Sequence, residues 1–143
     1  MMKYIKDYNI FESVKPFLQE SNFSPIVKLK DFGEVFYGHK DSDLIGRFRY
    51  EISVDDIRVH DKKFKSNGKL VCIFNFGVEG EFRGRGMGTI MMSKFLDICK
   101  NNEVVEAFLW TSHDNEKAIS MYKKIGFEDI DSDRYNLYMR KKL

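Results

Sequence analysis

The chain has 143 residues, 43% of them hydrophobic and 32% charged, with 24 Lys and Arg against 22 Asp and Glu for a net charge of +2. That length predicts one domain, 1–143, burying about 70% of the surface its unfolded form exposes, and the mix of apolar and charged residues excludes a disordered chain. The near-balanced charge gives no reason to expect nucleic acid as a partner, and no apolar run approaches the about 20 residues of a membrane span.

The N-terminus, Met1-Met2-Lys3-Tyr4-Ile5-Lys6-Asp7, lacks the apolar core of a secretory signal. Cys72 and Cys99 both sit inside apolar segments and read as inert core thiols, with neither a disulfide framework nor a zinc set. A reduced, cytoplasmic setting is expected. His39 and His60 lack ligand spacing, so no metal is expected.

Lys3 to Tyr8 is a candidate first strand. Asn9 could cap a short helix carrying Phe11, Val14, Phe17 and Leu18 on one side, with Pro16 poorly placed for its interior. Ser21 to Gly33 stays open between helix and loop. Glu34 to His39 and Leu44 to Ile52, separated by the polar turn Lys40 to Asp43, read as a hairpin. Ile57 to Val59 is a further short strand, followed by a polar stretch from Asp61 to Gly68.

Leu70 to Val78 is apolar on both faces, which predicts a central strand covered on both sides. Leu70, Cys72, Phe74, Phe76 and Val78 would point one way; Val71, Ile73 and Gly77 would point the other, with Asn75 the one polar member. Asn75 either faces an acceptor pocket or is a paired core asparagine. Thr89 to Lys100 carries Met91, Met92, Phe95, Leu96, Ile98 and Cys99 on one stripe and predicts an amphipathic helix. Val104 to Thr111 is a second strand apolar on both faces, with Glu106 the exception. Strand, helix and strand in about 40 residues make a βαβ unit with parallel strands.

A second helix runs from about Glu116 to Ile125, with Ala118, Ile119, Tyr122 and Ile125 inward. Asp114 or Asn115 suits its N-cap, and Gly126 with Phe127 suits its C-terminal cap. Phe127 to Ile130 and Tyr135 to Arg140 predict a closing hairpin around Asp131-Ser132-Asp133. Arg140-Lys141-Lys142 reads as a solvated tail. Phe23, Phe32, Phe36, Tyr37 and Phe48 are candidates for an acceptor cleft or for core packing.

The segment from Val78 to Thr89, VEGEFRGRGMGT, joins a buried strand to a helix. Its glycines permit tight turning and close approach, and the N–H groups of the following helix point into the same space. Arg83 and Arg85 add positive charge. The segment is suited to holding phosphate. The P-loop pattern fails because no Gly-Lys-Ser/Thr step occurs here, and the pattern G-x-G-x-x-G meets Thr89 at its third glycine. Arg/Gln-x-x-Gly-x-Gly is matched by Arg83, Gly86 and Gly88.

That last pattern resembles the pyrophosphate loop of the GNAT acetyltransferase superfamily. Asn115-x-x-Ala118-x-x-x-Tyr122-x-Lys124-x-Gly126-Phe127 resembles the superfamily's second signature, and Ile45-Gly46 its preceding hairpin. The resemblance covers roughly residues 34–140. It implies an α/β fold with a mixed sheet, that of the acyl-CoA N-acyltransferases, whose central parallel strands splay apart. Acetyl-CoA would lie between them as cosubstrate, with its diphosphate on Arg83, Gly84, Arg85, Gly86, Met87, Gly88 and Thr89. Its pantetheine arm would pair near Gly77, Val78 and Glu79, and an N–H near Val78 would polarise the thioester. Asn115 would orient the arm or cap its helix.

The implied reaction is direct attack of a primary amine, on a small molecule, a peptide N-terminus or a lysine. An amine of pKa about 10.4 costs about 4–5 kcal/mol to hold neutral at pH 7, so a base is needed. Tyr122 is the implied acid for the leaving thiolate, by its position in the signature. Glu79 is the first candidate base; Glu81, Glu51 and His113 are others. A non-catalytic acyl-CoA-binding or sensing module on the same fold is the alternative. Either would be a monomer or homodimer without membrane attachment.

Overall fold

A computed structural model describes residues 29–38 and 44–143. The candidate strand and helix over residues 3–18, most of the undecided stretch 21–33 and the turn at 40–43 lie outside the described residues.

The predicted first hairpin forms. Strand β1, Phe32–Gly38, pairs antiparallel with β2, Leu44–Val59. Val35 and Tyr37 point into the core, while Phe32, Glu34 and Phe36 point outward. The alternation follows from the two-residue period of a strand.

β2 does not stop at Ile52. It continues through Ile57 to Val59, turns at His60, and pairs along its whole length with β3, Lys62–Val78. The expected separate strand and polar stretch 61–68 are therefore one long hairpin. The stretch hid its strand character because only Phe64 among its side chains is apolar. That hairpin is bent back on itself at Asp55 and Gly68, which adopt φ of 67° and 109°, and the Gly68 N–H donates to the Asp55 carboxylate at 2.9 Å. Beyond the bend, the tip lies over the sheet: Phe64 stacks on Phe108 at 5.6 Å, and Lys62 pairs with Asp131 at 3.4 Å.

After β3 come a short 3-10 turn, Gly80–Phe82, and helix α1, Met87–Asn101, which starts two residues earlier than its apolar stripe predicts. Then follow β4, Val104–Ser112; helix α2, Glu116–Ile125; β5, Glu128–Ser132; and β6, Asn136–Lys142. The strands form one mixed sheet in the order β1-β2-β3-β4-β6-β5, with β3 and β4 parallel. Together with the helices this is the expected α/β fold.

Both helices cover one face. Met91, Met92, Phe95, Leu96 and Cys99 of α1 pack with Val71, Ile73, Ala107 and Leu109 of the sheet. Each such large side chain contributes about 1.5–3 kcal/mol on burial. The second face buries Ile57, Val59, Leu70, Cys72, Phe108 and Tyr138 under the folded-back hairpin. One correction concerns β3 itself. Asn75 is exposed with φ of 54°, and the register to β2 slips there. This bulge re-aims the strand, so Phe76 and Val78 join the helix-side core instead of sharing the Leu70–Phe74 side. Asn75 is thus not a core asparagine.

Candidate active site

The parallel ladder between β3 and β4 is short. It runs from Lys69 opposite Val104 to Cys72 opposite Phe108 and ends there. Beyond that point β3 stays paired with β2 as far as Val78, and β4 stays paired with β6 as far as Ser112. Each strand is held by its outer neighbour, so a gap opens between their C-terminal ends. The bulge at Asn75 increases local twist where the strands part.

The glycine-rich loop stands at the helix-side end of this gap. Gly84 and Gly86 adopt φ of 73° and 82°, a region costly for side-chain-bearing residues. Gly86 also occupies the N-cap of α1. A Cβ at Gly84 would have no atom within 4 Å, so the loop's outer side is open. Gly88 serves packing: a Cβ there would come within 2.8 Å of the Met121 sulfur of α2. The main-chain N–H groups of Gly84, Gly86, Met87, Gly88 and Thr89 have no acceptor among the described residues. They sit at the positive end of a 15-residue helix. The residues present therefore fit a diphosphate.

The two arginines brace the loop. Arg83 Nε donates to the Val78 carbonyl at 2.8 Å, and Arg85 Nε to the Glu81 carbonyl at 3.3 Å. Glu79 is exposed, forms no ion pair among the described residues, and its N–H donates to the Ile45 carbonyl at 2.7 Å. That N–H is consumed by β2 and is not free to bind a ligand. Gly77 is exposed, and a Cβ on it would meet nothing within 4 Å.

Tyr122 projects from α2 into the helix-side core, packing edge-on against Phe76 at 6.4 Å and Phe127 at 6.0 Å. It is only 6% exposed, and its hydroxyl has no hydrogen-bond partner among the described residues. Burial pushes its phenol up to about 12. Gly126, at φ of 117°, ends α2 as expected, with Phe127 folded back and its N–H donating to the Tyr122 carbonyl at 2.9 Å. Asn115 occupies the N-cap position but does not cap. Its amide donates to the Thr111 hydroxyl at 3.1 Å, tying the start of α2 to the end of β4.

Among the other candidate bases, Glu51 lies mid-strand opposite Cys72, and Glu81 is in the 3-10 turn. His113 is tethered: its Nε2 lies 2.8 Å from the Asp133 carbonyl, an acceptor only, so that nitrogen carries the proton. No group of three or more His, Cys, Asp or Glu converges on a metal position among the described residues, and no helix there is long and apolar enough to cross a membrane.

One feature of the gap carries no signal in its own motifs. On the second face Phe74 of β3, Trp110 of β4 and His60 of the hairpin tip stack in series, with centroids 6.2 and 5.1 Å apart. Phe64, whose apolar side chain interrupts a polar run, was the available hint that the tip folds back.

Comparison with known proteins agrees with this geometry. The family model described as "Acetyltransferase (GNAT) family" matches residues 4–127. N-alpha-acetyltransferase 50 of Danio rerio is 35% identical over 75 residues, 52% of this chain and 44% of that protein. The [Ribosomal protein bS18]-alanine N-acetyltransferase of Salmonella typhimurium is 30% identical over 66 residues, 46% of this chain and 44% of its own length. The matched segment thus spans less than half of either relative. In fold, the chain is similar to Arabidopsis thaliana NAA60 in complex with acetyl-CoA, with a TM-score of 0.64 at 18% identity over 94% of this chain and 90% of that one. A gap between parallel strands, a glycine-rich loop at its edge and a family match over most of the sequence lead to one assignment: the chain belongs to the acetyltransferase (GNAT) family.

Proposed function

We propose that this chain is a single-domain, acetyl-CoA-dependent N-acetyltransferase that moves the acetyl group to a primary amine by direct attack. The supporting observation is the set of main-chain N–H groups at Gly84, Gly86, Met87, Gly88 and Thr89, which have no acceptor among the described residues, beside the β3–β4 gap. Those groups, with Arg83 and Arg85, hold the diphosphate, and Gly84 leaves the room it needs. The pantetheine arm lies along the free edge of β3 at Gly77 and Val78. Because the Glu79 N–H turns toward β2, strand alternation turns the Val78 N–H toward the gap, where it polarises the thioester carbonyl. Asn115 fixes the gap-side end of α2 through Thr111.

The amine reaches the thioester carbon after losing a proton to water held by Glu79, an exposed carboxylate at the end of β3. Its nitrogen forms the C–N bond, the C–S bond breaks, and the sulfur leaves as thiolate. Tyr122 stays protonated at neutral pH and donates a hydrogen bond to that sulfur. With the phenol at about 12 and a thiol near 8.5, complete proton transfer is uphill by about 5 kcal/mol. Tyr122 therefore acts by stabilising developing charge, and the thiolate's proton comes from solvent or from the attacking nitrogen.

Two measurements test this. Acetyl-CoA should raise the melting temperature more than NAD or ATP does; the reverse ranking would discard the reading. Tyr122→Phe should keep acetyl-CoA affinity within about twofold while thiol release with an amine drops about 100-fold. Binding without turnover on any amine would favour the non-catalytic acyl-CoA module.

A further inference from the structure

The β3–β4 gap is closed from two directions. On its helix side lie α1, α2, Phe76 and Tyr122. On the second face the rings of Phe74 and Trp110 meet across the two strands with centroids 6.2 Å apart, and His60 stacks on Trp110 at 5.1 Å. The opening left for an acceptor therefore begins just past Phe74, and the first side chain of β3 at that border is Asn75.

Asn75 holds a position that favours glycine. Asn75 and Phe76 together stand opposite the single residue Phe48, and Asn75 has φ of 54°. A bulge whose first residue is in the left-handed region ordinarily carries glycine there. Asparagine tolerates that backbone better than most residues, so the conformation admits a carboxamide without requiring one. Phe76, stacked on Phe48 at 5.5 Å, fills the helix-side core. Asn75 is exposed outside that core, and its side chain has no hydrogen-bond partner among the described residues. Three residues, about 10 Å of extended strand, separate it from the Val78 N–H assigned to the thioester carbonyl. The arm enters from the loop past Val78, so its acetyl end points toward Asn75. An amine about 3–3.5 Å from the thioester carbon is then within a hydrogen bond of about 3 Å of the carboxamide.

Resting on the transferase reading, we infer that the Asn75 carboxamide orients the acceptor amine: its Oδ1 accepts one N–H of the attacking nitrogen and turns the lone pair toward the thioester. Attack needs that lone pair aligned on the carbonyl carbon, so the N–H bonds must be held away from it. The contact is made to the nitrogen itself, so it serves primary amines whatever their substituent.

Asn75→Gly separates this role from a purely conformational one, because glycine keeps the left-handed backbone and removes the amide. Thiol release is followed with butylamine and with alaninamide, and acetyl-CoA binding by calorimetry. Asn75→Gly should lower kcat/KM about tenfold for both amines while the acetyl-CoA Kd stays within about twofold of the wild type. Asn75→Asp, which keeps the oxygen and tolerates the same backbone, should stay within about threefold of the wild type. Wild-type kcat/KM in Asn75→Gly, an equal loss in Asn75→Asp, a loss confined to one amine, or a loss traced to weaker acetyl-CoA binding overturns the inference and leaves the transferase reading intact. Failure of the wild type to release thiol with any primary amine removes both.

Discussion

Gly46 and Gly77 flank the β2–β3 junction at the gap, and adding one methyl group to each should have opposite effects. A Cβ at Gly46 would lie 2.6 Å from the Gly77 carbonyl oxygen and 2.7 Å from both the sulfur and the methyl of Met91, which is 0% exposed. Carbon–oxygen contacts settle near about 3.3 Å, so the β3 backbone would have to move by about 0.7 Å. Overpacking costs about 1–3 kcal/mol, and a main-chain carbonyl yields less readily than a side chain, so Gly46→Ala belongs at the upper end. For a chain of this size, about 3 kcal/mol lowers Tm by about 6–12 °C. A Cβ at Gly77 would have nothing within 4 Å, and its φ lies outside the left-handed region. Gly77→Ala then gains about 0.4–1 kcal/mol by restricting the unfolded chain. Calorimetric melting of the two variants separates them. Equal losses, or a Gly46→Ala melting point unmoved from the wild type, would refute the close approach of β2 to β3.

Three further outcomes are expected. Glu106 is 5% exposed, its Oε1 has no hydrogen-bond partner among the described residues, and its Oε2 lies 3.7 Å from Arg140 Nε, too far for a hydrogen bond. Glu106→Leu should leave stability equal or higher by about 1 kcal/mol in chemical denaturation; a loss of that size would show the carboxylate to be a net stabiliser. Burial raises Cys99 from 9.0 to about 12, and Cys72, also facing Glu51, to about 12. Their contribution is complete below pH 9 and is lost as pH climbs toward 12, by about 1.4 kcal/mol per pH unit for each thiol, so melting curves should fall steeply over that window. His60→Ala should red-shift the emission of Trp110, the sole tryptophan, by uncovering its ring; an unchanged spectrum would contradict the stack.

Much of the βαβ unit was legible because its periodicities are strong. The two-faced apolar character of 70–78 and 104–111, the α1 stripe and the Gly126-Phe127 cap follow from burial and backbone sterics alone. The loop could be read because glycines at 84 and 86 have a conformational reason to be there. The bulge at Asn75 was not legible: a one-residue slip reverses the facing of Phe76 and Val78 without altering the composition. Nor was the folded-back hairpin, whose outer side chains Lys63 and Lys65 face solvent and look like loop. Asn115 has the right residue type for a cap, yet its hydrogen bond goes to Thr111, a choice only tertiary geometry reveals.

The main-chain amides of Gly84, Gly86, Gly88 and Thr89 can be followed one by one in a nitrogen–proton correlation spectrum during titration with acetyl-CoA. Saturable shifts concentrated on those four signals, and weakened by Gly84→Ala, are the predicted result. Signals that stay in place while acetyl-CoA binds elsewhere, or no binding at all, would contradict the assignment of this loop to the diphosphate.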